Sequence, residues 1–115
     1  MHEKRRHFVQ FLNLEDAVGQ SYWQPSVDVY RGCKSWLVKF DLAGVRPQDI
    51  SLVVDGQRLT VQGVRRDLSV LDQQQAISME ISYNRFERTI ELPVDIENAK
   101  LKHEYLDGMY LIVIE

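Results

Sequence analysis

From residue 23 onward, apolar side chains recur at every second position. Val27 and Val29 flank Asp28; Trp36, Val38, Phe40 and Leu42 share one side of a run whose other side carries Lys39 and Asp41. Ile50, Leu52 and Val54 repeat the pattern, as do Leu59 with Val61, and Ile77, Met79, Ile81 and Tyr83 against Ser78, Glu80 and Ser82. Phe86, Ile90 and Leu92 follow, then Leu101 and Tyr105, then Tyr110, Ile112 and Ile114. Period-two alternation with one apolar side marks half-buried antiparallel strands. Turn residues separate the runs: Arg31-Gly32, Ala43-Gly44, Arg46-Pro47, Asp55-Gly56, Pro93 and Asp107-Gly108. Many short strands so punctuated predict an all-β, antiparallel two-sheet sandwich over residues 23–115. Asp55-Gly56 and Asp107-Gly108 are the best hairpin turns, because Gly tolerates positive φ and Asp favours tight turns. Residues 67–75 are polar, with a weak strand signal at Leu68, Val70 and Leu71, and a loop of that length in a compact domain is often functional.

The first 22 residues differ. Phe8, Phe11 and Leu12 follow i, i+3, i+4 spacing, which predicts a short amphipathic helix ended by Gly19-Gln20-Ser21. Phe8, Val9, Phe11, Leu12 and Leu14 are too few to fold alone, so residues 1–22 read as an N-terminal arm, docked or mobile. The basic Lys4-Arg5-Arg6 run is offset by Glu3, Glu15 and Asp16 and reads as a solvated helix start.

Composition narrows the function. The 115 residues allow one domain; 44% are apolar, 27% are charged and the net charge is -3, which gives no basic footprint for nucleic acid. No apolar run is long enough to span a membrane. The stretch after the charged start is too short and too polar for a signal-peptide core. Cys33 is the single cysteine, which excludes an internal disulfide and fits a reducing, cytoplasmic setting. The phosphate-loop, Gly-x-Ser-x-Gly, His-Glu-x-x-His and Cys-x-x-Cys motifs are all missing from the sequence, and His2, His7 and His103 are scattered. No enzyme activity, metal or cofactor is expected. Arg88 falls on the side of its strand shared by Phe86, Ile90 and Leu92. It either lies over the core rim with its head in water or pairs with a fixed acid at an interface.

Several short motifs stand in fixed order. They are Asp41-Leu42-Ala43-Gly44-Val45, Leu59-Thr60-Val61-Gln62-Gly63-Val64-Arg65, Tyr83-Asn84-Arg85-Phe86-Glu87-Arg88 with Leu92-Pro93 behind, and Asp107-Gly108-Met109. The series resembles the alpha-crystallin domain of the small heat-shock proteins, in their bacterial and plant branch, from Trp23 to Glu115. Asn84 replaces the family's Gly and Ala43 its Pro, while the stretch from His103 to Tyr110 departs most from the family pattern. The resemblance implies an ATP-independent holdase that binds partly unfolded client proteins and suppresses their aggregation. It also implies a homodimer, because in the family the long stretch between Gly63 and Phe86 carries a strand that crosses to the partner subunit, and here the segment Asp67 to Gln75 is the one expected to exchange. Leu68, Val70, Leu71 and Arg88 are then the expected dimer interface. Leu52, Val53, Val54, Leu101 and His103 would line a peptide groove for strand addition, and Phe8, Val9, Phe11, Leu12 and Leu14 would contact clients or neighbours. In the family an Ile-x-Ile motif follows a flexible extension. Here Ile112-Val113-Ile114 lies inside a continuous apolar run and reads as the last core strand. No tail motif follows Glu115 in the sequence, so dimers or small assemblies are expected instead of large shells. The alternative is an adaptor or co-chaperone of the CS-domain sandwich type, binding one defined partner.

Overall fold

A computed structural model describes residues 4–5, 22–69 and 73–115. These form eight strands: β1 (Lys4–Arg5), β2 (Val27–Arg31), β3 (Trp36–Asp41), β4 (Ile50–Asp55), β5 (Arg58–Val64), β6 (Arg85–Glu91), β7 (Leu101–Leu106) and β8 (Met109–Ile114). One sheet runs β1-β4-β5-β6 and the other β2-β3-β8-β7. All pairings are antiparallel except that of β1, which lies parallel to β4. The two-sheet sandwich expected from alternation is present, and β8 confirms Ile112-Val113-Ile114 as a core strand.

The strands form where alternation predicts, and their inward side chains make the core. Val38, Phe40, Val54, Leu59, Val61 and Ile112 are fully buried, each burial contributing roughly 1.5–3 kcal/mol. Two positions outside the strands seal the ends. Val45 closes the β3–β4 connection, and Ile96 plugs the β6–β7 connection, where its N–H donates to the Gly56 carbonyl at 2.9 Å. Both expected hairpins are observed. β7 and β8 meet in a two-residue loop with Leu106 opposite Met109, and both Asp107 (φ 51°) and Gly108 (φ 82°) are left-handed. That is the type I′ geometry whose twist suits flanking strands.

Two expectations change. Lys4 and Arg5 begin no helix; they add a short strand to β4, opposite Val53 and Val54. Residues 77–83, whose alternation predicted a half-buried strand, form none within the chain. Phe8, Val9, Phe11, Leu12, Leu14, Val70 and Leu71 lie outside the described residues.

Candidate interaction edges

A sandwich offers partners its sheet edges, here β6 and the side of β4 that the two-residue β1 covers only at Val53 and Val54, and β2 and β7 on the other sheet. The stretch at residues 22–26 passes from β6 to β2, which puts those two edges on one side of the sandwich and β4 and β7 on the other.

On the β4 side, alternation resolves the expected groove residues by direction. Leu52 (4% exposed), Val54 and Leu101 point inward and belong to the core, so they can form only a groove floor. Val53 is half-buried on the opposite face of β4, and β1 covers the edge at Val53 and Val54. His103 is half-buried on the inner side of β7, its ring tilted against Tyr110 at 5.4 Å. The buried phenol of Tyr110 is pushed up to a pKa of about 12 by desolvation. The Tyr105 hydroxyl, two residues beyond His103, donates to the Leu42 carbonyl at 2.9 Å and ties β7 to the end of β3.

On the β6 side, Trp23 runs along the edge. Its N–H donates to the Arg85 carbonyl at 2.9 Å and its carbonyl accepts from Glu87 N–H at 3.1 Å, while its indole meets Phe86 edge-on at 5.5 Å. Arg88 stands opposite Val61 on the inner side, half-buried, and its Nη1 donates to the Pro25 carbonyl at 3.0 Å. An open concavity adjoins it, lined by Tyr22, Gln24, Glu87 and Thr89. Arg88 therefore lies beside β2, with its head both bonded within the chain and open to a neighbour.

β2 pairs only with β3 among the described residues, and its Val29 and Tyr30 are 43% and 47% exposed. Residues 77–83 carry apolar side chains that are equally open. Ile77, Met79 and Ile81 are 87%, 64% and 60% exposed, in a stretch that bends at Ile77 and Ile81 and forms no strand. Leu68 is also exposed, at 62%. The alternation of residues 77–83 is present in the sequence but forms no strand, and its apolar side has no cover among the described residues.

Neither side shows a chemical centre. Among the described residues no group of three His, Cys, Asp or Glu is placed to hold a metal ion, and no helix is long and apolar enough to cross a membrane. Cys33 is an exposed free thiol in the β2–β3 hairpin.

Comparison with known proteins agrees with this architecture. The Hsp20/alpha crystallin family model matches residues 28–115. Heat shock protein 16 of Schizosaccharomyces pombe is 27% identical over 94 residues, covering 78% of this chain and 64% of that protein. The 18 kDa antigen 2 of Mycobacterium avium is 30% identical over 88 residues, covering 76% and 62%. The chain thus spans less than two thirds of the length of these relatives. Among solved structures, heat shock protein 16.0 of S. pombe superposes with a TM-score of 0.72 at 23% identity, over 80% of this chain and 86% of that one. A small heat-shock protein of Xylella fastidiosa, described as having a distinct high order structure, gives 0.66 at 26% identity, over 82% and 86%.

Proposed function

The chain belongs to the Hsp20/alpha-crystallin family, and from that premise we propose that it is a nucleotide-independent holdase chaperone, without enzymatic activity, working as a dimer. The observation that carries the dimer is the exposed apolar row Ile77, Met79 and Ile81 in the same chain as the open β2 edge. An extended segment with one apolar side lacks only a sheet edge, and β2 is such an edge. Laid against β2 of a second copy, the row would continue the inner side of that sheet past Val27 and Val29. Burying each of the three side chains contributes roughly 1.5–3 kcal/mol. Made twice in a symmetric pair, this is on the scale of the ~4–15 kcal/mol that association costs. The exchanging segment is then residues 77–81 in place of the expected 67–75, with Leu68 toward its base. Arg88, on the same side of the sandwich, would be covered by the partner.

Client binding follows the same physics. Partly unfolded chains expose unpaired backbone and apolar side chains, and transient pairing with edges and apolar surface competes with their aggregation without a chemical step. The β4 edge beside Val53, above the floor of Leu52, Val54 and Leu101 with His103 across from it, is the proposed site for extended segments. The arm residues Phe8, Val9, Phe11, Leu12 and Leu14 are the proposed second contact. The test pairs light-scattering mass measurement with aggregation of a heated or reduced model client, without nucleotide. A dimer that suppresses scattering at stoichiometric amounts is expected. A monomer that leaves client scattering unchanged would overturn the reading and favour a single-partner adaptor.

A further inference from the structure

β5 ends at Val64, and two adjacent arginines follow. Arg65 turns toward the chain returning from the long connection. Its backbone N–H donates to the Asn84 carbonyl at 3.1 Å, and its Nε donates to the Ser82 carbonyl at 2.8 Å. Its Nη1 donates to the Ala43 carbonyl at 3.2 Å. The guanidinium lies 3.8 Å from the centroid of the Trp23 indole and 6.0 Å from that of Tyr83. Arg66 goes elsewhere: its Nε pairs at 3.2 Å with Oδ2 of the buried Asp49, the oxygen that also takes Arg46 Nε at 2.9 Å. Between these two anchor points the described residues are exposed: Leu68 and Ser69 on the outgoing limb and residues 73–81 on the returning one. The passage from fastened to exposed backbone therefore falls at Arg66 on the way out and at Ser82 on the way back.

We propose that Arg65 and Arg66 are the hinge clamp of the exchanging segment, Arg65 holding the returning limb and Arg66 the outgoing limb. They aim residues 77–81 away from their own sandwich and limit the directions the segment can sample. The inference rests on the exchange proposed above. A segment held at both roots loses less conformational freedom when it docks on a second copy, so the clamp tightens the dimer without touching the partner. Arginine suits the position for a physical reason. Only a planar fork can bond two carbonyls from different segments while its face stacks on an indole. Lysine keeps the charge and loses the fork. Both arginines are positioning residues; the contact with the partner is made by residues 77–81.

Mixing isotope-labelled with unlabelled chains and following mixed dimers by native mass spectrometry gives the subunit exchange rate, and dilution with light scattering gives the dimer Kd. For Arg65→Lys and Arg65→Gln, exchange roughly tenfold faster or more and a Kd raised by a similar factor are expected, with a smaller effect for Arg66→Gln. A purely structural role is separated by placing Arg65→Lys in a monomeric Met79→Asp background, where the urea midpoint should stay near that of Met79→Asp alone. Unchanged exchange and Kd in both Arg65 variants would overturn the clamp while leaving the exchange reading intact. So would a dimer loss matched in full by lost stability in the monomeric background. A wild-type protein that is monomeric throughout would overturn the exchange itself, and the clamp with it.

Discussion

Gly63 on β5 sits against the backbone carbonyl of Asp49, leaving no room for a Cβ between them. The Phe86 ring closes the same space from the neighbouring strand, opposite Gly63 in the β5–β6 register. The residue is thus fixed by packing, since its φ is unexceptional. Gly63→Ala must move backbone, a change of the kind that costs about 1–3 kcal/mol and occasionally more. Urea unfolding should show a lower midpoint with an unchanged slope. The loss should exceed that of Gly56→Ala, where a Cβ meets nothing within 4 Å and only the positive φ is strained.

The exposed row on residues 77–81 should be the main determinant of association. Met79→Asp, or the pair Ile77→Ser and Ile81→Ser, should give monomers whose sandwich unfolds at nearly the wild-type urea concentration. Loss of roughly 3 kcal/mol or more of apolar burial raises the dimer Kd by about two orders of magnitude, readable by sedimentation or light scattering on dilution. Leu68→Ser, nearer the root of the connection, should weaken the dimer less. A dimer that survives both changes would place the interface elsewhere.

Removing residues 1–22 should have two opposite effects. It strips β1 from β4, so a synthetic Ile-x-Ile peptide should bind several-fold more tightly. The covering strand is only two residues long, and a net hydrogen bond contributes about 0.5–1.5 kcal/mol. Amide shifts should centre on Leu52, Val53, Val54, Leu101 and His103. The same deletion also removes the apolar cluster from Phe8 to Leu14 and should weaken client protection. Unaltered peptide affinity would show that β1 does not guard the edge.

Tyr110 makes stability depend on alkaline pH. Its folded pKa of about 12 stands above the ordinary 10.0 because burial penalises the phenolate. A raised folded value means that the unfolded state loses its proton first. The contribution is therefore complete below pH 10 and declines as pH rises from 10 to 12, by about 2–3 kcal/mol in all. Tyr110→Phe should flatten that part of the stability profile, and urea midpoints across the range would show the difference.

Local information made most of this fold legible. The two tight hairpins depend on Gly and Asp where φ is positive, and the strands on simple alternation, so each could be read within a window of a few residues. Ile96 and Val45 were not legible, because each enters the core from a connection and belongs to no alternating run. Lys4 and Arg5 look like a solvated helix start by charge and spacing. Their strand arises from a distant edge at Val53 and Val54, which no local pattern reports. Residues 77–83 fall between these cases: the period was plain, but a pattern does not say whether an edge within reach will pair with it, and among the described residues none does. Arg65 was visible only as the end of a motif, since its partners Ala43, Ser82 and Trp23 come from three separate segments.

The place of β8 in its sheet bears on how the chain is made. β8 lies between β3 and β7, with Trp36 opposite Ile114, so the central pairing of that sheet joins residues from early and late in the domain. Until residue 114 has left the ribosome, β3 can pair only with β2, and the side of Val38 and Phe40 that β8 flanks stays open. Such non-local pairing is intrinsically slow to form. Each newly made copy therefore passes through a period in which it displays an open edge and apolar surface, and under the proposed holdase reading it would then be a client of copies already folded.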